Sequence, residues 1–264
     1  MDYAGHFGQE VAAFEAAGRE AVSSQAAPAV PSCPEWVMTD LVLHLGLVHR
    51  MVARVIGERM QQPPAEGDRL WLGLAGPWRD WLPPNRAPRQ SPVPSGLVDW
   101  FRAGAAELAE LFRVTDPDER VWTWSPDQSV GFWQRMQAIE VAVHRWDAQN
   151  AVSAAQPIDA ALAADAIAQT FEVMVPMRRA VAKAPPGQGE RFVFRRTDGP
   201  DAWAVRFDGD AVPFGAPQGT YDIQVSGTAS DLALLLWQRD VAGGLDVQGD
   251  SSLLSRYFVL VPPL

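Results

Sequence analysis

WQRMQAIEVAVHRWD, residues Trp133 to Asp147, carries the pattern on which the fold turns. Apolar Met136, Ile139, Val143 and Trp146 recur at three- and four-residue steps, the period of an amphipathic helix, so Glu140 and His144 stand one turn apart on one face. A carboxylate and an imidazole presented side by side can both bind a borderline divalent metal such as zinc, and a rigid helix orients them before the ion arrives. The same spacing also describes an ordinary exposed ion pair of about 0.2–0.5 kcal/mol. A metal site would need a third ligand from elsewhere in the chain.

Working outward toward the N-terminus, residues Tyr3 to Ser24 read as a first helix with Phe7, Val11, Phe14, Ala17 and Ala21 in its apolar stripe, stopped by Pro28, Pro31 and Pro34. In PSCPEWVMTDLVLHLGLVHRMVARVIGERM, residues 31–60, Thr39 is expected to cap a second helix whose stripe includes Leu41, Leu45, Val48, Val52 and Val55. This helix carries His44 and His49. Five residues at about 100° each set the two imidazoles roughly 140° apart around the axis, so at most one of them can join a shared ion. Spacing alone leaves open which one.

From about Gln61 to Pro94 the composition shifts to Pro, Gly and Trp, with Trp71, Trp78 and Trp81 embedded in it. This reads as a long connection whose aromatics either cover a pocket mouth or fill gaps on the surface. A third helix is expected from about Ser95 to Val114, and TDPDERVWTWSPDQS links it to the Glu140 helix. Four helical segments joined by breakers predict a helix bundle, with the second and fourth bringing their polar groups into one cleft.

After Pro157 the pattern changes. A helix from about Asp159 to Ala182 leads into the break APPGQG, and FVFRR, WAVRFD, YDIQVSG and LDVQG then read as short strands. Between the last two, Thr228 and Asp231 have capping-box spacing ahead of an apolar helix. The fold class expected is therefore α+β, a four-helix bundle followed by a small α/β unit.

The 264 residues, 47% hydrophobic and 20% charged, suffice for two modest domains. A net charge of -10 with no Lys/Arg-rich run excludes nucleic acid as an expected partner, because a phosphate backbone would be repelled. No apolar stretch approaches the roughly 20 residues that cross a bilayer. The single cysteine, Cys33, has no internal disulfide partner, and with no secretory leader at Met1 a cytoplasmic location is expected.

PSCPEWVMTDLVLHLGLVHR and VWTWSPDQSVGFWQRMQAIEVAVHRWDAQ resemble the signature stretches of the mycothiol-dependent maleylpyruvate isomerase family, whose first domain is a DinB-like four-helix bundle. VSGTASDLALLLWQRD and LDVQGDSSLLSRYF are similar to that family's second, sterol-carrier-like domain. The resemblance implies a DinB-like helical metal-binding domain over residues 1–153 and a C-terminal α/β domain over 157–264. It also implies a divalent metal, zinc in most members, held by His49, Glu140 and His144, with His44 as a supporting or core residue. Arg239 matches an arginine of the second domain and is expected to grip a substrate carboxylate. Ile139 stands where members frequently carry a histidine, so the proton-transfer task of such a histidine has no counterpart in this chain.

Two histidines and one glutamate leave a position open on a tetrahedral ion, the arrangement of a catalytic site. The expected activity is that of a transferase or isomerase in which mycothiol or a similar low-molecular-weight thiol attacks an electrophilic small molecule. Two rivals are a hydrolase that activates water at the open position and a non-catalytic metal- or ligand-binding protein. Either a monomer or a dimer is compatible with the composition.

Overall fold

A computed structural model of the chain describes residues 1–65, 72–74, 76–81, 87, 91–241 and 243–263. It divides into two units, Met1–Gln156 and Pro157–Leu264.

The first unit is built on four helices, α1 (Tyr3–Ser23), α2 (Met38–Gly57), α3 (Ser95–Val114) and α4 (Val130–Val152). Helix α1 packs along α4 and α3, and α2 packs along α3 and α4. Their apolar stripes meet in a core that includes Phe7, Phe14, Leu41, Leu45, Leu108 and Ile139, each at most 1% exposed. Two ends are capped as short polar side chains dictate: the Asp2 carboxylate accepts from the Gly5 N–H, and Ser129 Oγ accepts from the Phe132 N–H.

The start of α2 differs from expectation. Val37, not Thr39, occupies the cap position, and the Asp40 carboxylate reaches back to accept from the Val37 N–H at 3.0 Å. Valine cannot accept a hydrogen bond, so only the return half of a capping box forms, while Thr39 lies inside the first turn and is buried. Further along α2, Gly46 lets the neighbouring helix come close. A Cβ there would lie 2.1 Å from the Trp100 ring, which packs directly on the backbone. Helices α1 and α4 are pinned by a buried pair in which Arg145 Nε donates to Glu10 Oε2 at 2.6 Å.

In the connection between α2 and α3, Leu72 and Leu74 are buried and the Leu72 carbonyl accepts from Trp100 Nε1 at 2.7 Å. Trp78, in a short 3-10 turn over Gly76–Trp81, packs against Gly96 at the start of α3. These contacts fit the gap-filling reading for Trp78. Trp71 lies outside the described residues.

The second unit opens on α5 (Ala160–Gln169), capped by Asp159, then a π turn over Thr170–Met174 and α6 (Val175–Ala182). Strands β1 (Gly187–Arg196), β2 (Ala202–Gly209), β3 (Phe214–Gly215), β4 (Ile223–Gly227) and β5 (Asp246–Gly249) form a sheet of order β3-β2-β1-β4-β5. Only the β1–β4 pairing in that sheet is parallel. Helix α7 (Ala229–Leu236) starts at Thr228, whose Oγ1 accepts from the Asp231 N–H at 3.1 Å, as the capping-box spacing predicted. Helix α8 (Ser252–Leu260) closes the unit and sets Tyr257 edge-on to Phe192, Phe194 and Phe207 of the sheet.

Candidate metal centre

Glu140 and His144 lie one turn apart on α4, as their spacing requires, and α2 supplies the third group. The ligand atoms of His44, Glu140 and His144 all lie within 4.8 Å of one another. His44 Nε2 is 3.2 Å from Glu140 Oε1, and the rings of His44 and His144 meet edge-on at 5.0 Å. The histidine gathered with Glu140 and His144 is therefore His44 and not the expected His49. The reason is the roughly 140° between them around α2: the face that carries His44 toward α4 sends His49 into the bundle core. His49 is 0% exposed, packed against Phe7 and Phe101 at centroid distances of 5.0 and 5.4 Å. Among the described residues neither of its ring nitrogens has a hydrogen-bond partner. Burial pushes its pKa down to about 3, so the ring is neutral at pH 7.

Each member of the cluster is held by a neighbour. His144 Nδ1 donates to Asp147 Oδ2 at 2.8 Å, which fixes the tautomer with the proton on Nδ1 and makes Nε2 the acceptor nitrogen of the ring. Asp147 is itself fully buried, and its other oxygen accepts from Ser32 Oγ at 2.5 Å. Gln137 Nε2 donates to Glu140 Oε2 at 2.8 Å. Burial alone would raise the Glu140 pKa, but the hydrogen bond from His44 and the charges of both histidines outweigh it and bring it down to about 2. Glu140 is thus an anion at neutral pH.

Ser32 belongs to the turn between α1 and α2, whose backbone is tied to itself by Val30 N–H to the Trp36 carbonyl and Trp36 N–H to the Cys33 carbonyl. Trp36, from the same turn, lies against both imidazoles, 5.1 Å from His44 and 6.4 Å from His144 between ring centroids. His44 is the most open of the three groups, with 28% of its side chain exposed. A ligand would therefore approach from its side.

This donor set fits a divalent ion. Bonds of about 2.0–2.2 Å in a tetrahedron put ligand atoms about 3.4 Å apart, and the three ligand atoms already lie within 4.8 Å of one another. Two neutral nitrogens and one carboxylate oxygen are ligands that zinc accepts, and the carboxylate behind His144 is the support such histidines carry.

The sequence reading missed Asp147, Ser32, Gln137 and Trp36 as parts of this site. Asp147 left a signal, since a carboxylate three residues after a histidine on a helix can reach its ring. Ser32 left none. Ile139 is 1% exposed and belongs to the core, and Arg239 follows α7 in the second unit, where its Nη1 donates to the Trp237 carbonyl at 2.6 Å.

Comparison with known proteins adds to the geometry. The family model for the mycothiol maleylpyruvate isomerase N-terminal domain matches residues 7–149, and the model for the C-terminal domain of the same proteins matches residues 161–256. A crystal structure of the mycothiol-dependent maleylpyruvate isomerase aligns with a TM-score of 0.58 at 12% identity, covering 94% of this chain and 92% of that one. The structure of a histidine-to-alanine variant of that enzyme aligns with a TM-score of 0.53 at 11% identity, covering 92% of each chain. At these identities the likeness is one of fold. No curated protein sequence matches the chain.

Proposed function

Because the chain belongs to the mycothiol maleylpyruvate isomerase family, we propose that it is a metal-dependent thiol transferase or isomerase in which His44, Glu140 and His144 hold one divalent ion, zinc, and mycothiol supplies the attacking sulfur. The observation that carries this reading is the three-residue cluster itself, with Asp147 holding the His144 proton on Nδ1. A divalent cation bound there supplies positive charge that favours thiolate over thiol, the nucleophilic form.

The chain's own residues do the rest. Asp147 keeps the His144 proton on Nδ1, Gln137 holds Glu140 Oε2 so that Oε1, beside His44, would be the oxygen to hold the ion, and Trp36 covers one side of both imidazoles. Arg239 is the candidate for gripping a carboxylate on the electrophile. With Ile139 in the core, proton transfer to or from the substrate does not use the position before Glu140.

The test is spectroscopic. Protein loaded with cobalt and titrated with mycothiol should develop a sulfur-to-metal charge-transfer band, absent in the Glu140→Ala variant. Cobalt bound at these residues with no spectral response to mycothiol or another small thiol would exclude the thiol reading and leave the hydrolase or the binding protein.

A further inference from the structure

Helix α6 carries two adjacent buried arginines with different surroundings. Arg179 is satisfied by carbonyls: Nη1 donates to Leu260 at 2.8 Å, and Nη2 to Gly209 at 3.1 Å and Pro185 at 3.3 Å. Arg178 is 6% exposed, and among the described residues its one hydrogen bond runs from Nη1 to the Leu236 carbonyl at 3.4 Å. Its guanidinium lies over the Trp237 ring, 5.5 Å from the centroid. Among the described residues no carboxylate pairs with it.

Two further buried donors, one of them on the ring beneath this guanidinium, are also unused among the described residues. Trp237 Nε1 and Tyr257 Oη, in residues 6% and 1% exposed, have no hydrogen-bond partner among the described residues, and neither does Arg178 Nε. Tyr257 and Arg239 are both close enough to act electrostatically on Arg178, the first favouring its charge and the second opposing it. A buried cation beside a second cation, with three unaccepted N–H or O–H groups, is a costly arrangement without an acceptor. One water could accept from two of these donors but would leave the charge unpaired. A carboxylate offers only acceptors, can take guanidinium N–H groups two at a time, and brings the missing negative charge.

The helix is shaped to put Arg178 there. The buried positions of α5 and α6, from Leu162 and Ala163 through Ala166, Ile167, Thr170, Phe171, Met174 and Val175 to Arg178 and Arg179, repeat every four residues. Around a straight α-helix that repeat would drift by about 160° over its length, turning the arginines away from the face the stripe began on. The π turn at Thr170–Met174 takes up the excess and keeps both arginines on the buried face.

We propose that Arg178, Trp237 and Tyr257 form an internal binding site in the C-terminal unit for the carboxylate of a small organic acid. The inference does not require the helical unit to bind a thiol.

The probe is sodium acetate against sodium chloride at matched ionic strength, read on the full chain through the indole N–H resonance of Trp237, identified by its loss in Trp237→Phe. Acetate should move that resonance saturably while chloride does not. Arg178→Met should weaken the response at least tenfold without lowering the melting temperature of the acetate-free protein, because it removes an unpaired buried charge. Tyr257→Phe, which keeps the ring packing, should weaken it several-fold, and it carries the test alone if Arg178→Met does not fold. A Trp237 resonance unmoved by acetate, moved equally by chloride, or moved equally in the variants overturns the proposal.

Discussion

Helix α2 shows one residue type in two environments five positions apart. His44 meets an ionised carboxylate, a second imidazole and an opening to solvent, while His49 meets the rings of Phe7 and Phe101 and has no exposed surface. The first environment holds a ring nitrogen against an anionic acceptor, where a cation could take the place of its proton, and the second makes the imidazole a neutral packing group. A histidine's chemistry thus depends less on its helix than on the helix face and on what the neighbouring helix presents there.

The largest effect expected from this contrast is on metal binding. Removing His44, Glu140 or His144 should cost more affinity than the 10–100-fold typical of losing a supporting partner, whereas His49→Phe should keep the metal. Zinc content after dialysis against a calibrated chelator measures both. Retention in His44→Ala with loss in His49→Phe would reverse the assignment. One step smaller, Asp147→Asn should lower zinc affinity by roughly 10–100-fold, because the amide no longer fixes the His144 tautomer. An unchanged affinity in Asp147→Asn would remove that residue from the site.

Much of this site was legible in the sequence, and the part that was not has a physical reason. Glu140 and His144 follow from period alone, because both lie on one helix and one turn joins them. The choice between His44 and His49 does not: the helical period separates them but says nothing about which face α4 covers, which is a tertiary fact. Ser32 lies 115 residues from Asp147 and reaches it only through the folded turn. The same division holds for the fold. The apolar stripes located α1 and α3, and Thr228 marked the start of α7. The two-residue β3 has exposed side chains that leave no burial pattern, and the π turn is a backbone adjustment inside an otherwise continuous helical stripe.

The pH dependence of stability sharpens the contrast from the other side of the helix. His49 has a pKa of about 3 in the folded chain and about 6.5 when unfolded, so between those values the unfolded state holds a proton that the folded state lacks. Its contribution is fully present above about pH 6.5 and is lost as the pH falls below it. From pH 7 to pH 5 the protein should lose about 2 kcal/mol on this account, at about 1.4 kcal/mol per pH unit below 6.5. Urea melts at the two pH values should show this loss, and His49→Phe should flatten the slope. An equally steep slope in the variant would assign the pH dependence to other groups.

The smallest effect expected is at Ser32, and it tests how far the support of the His44 face extends. Ser32 touches neither imidazole; its hydroxyl donates to the Asp147 oxygen that His144 does not use. Without it, Asp147 is still buried and still bonded to His144, but one carboxylate oxygen loses its donor and the aspartate is held less firmly behind the His144 ring. A loss of this kind costs about 1 kcal/mol in a part-buried setting, so Ser32→Ala should lower zinc affinity only a few-fold, well short of Asp147→Asn. In the double variant Ser32→Ala/Asp147→Asn the serine's effect should shrink, because it acts through the aspartate. Measured as zinc affinity by competition titration, equal and additive losses in the single and double variants would show that Ser32 acts on the site by another route, such as the position of Trp36 four residues further along the same turn.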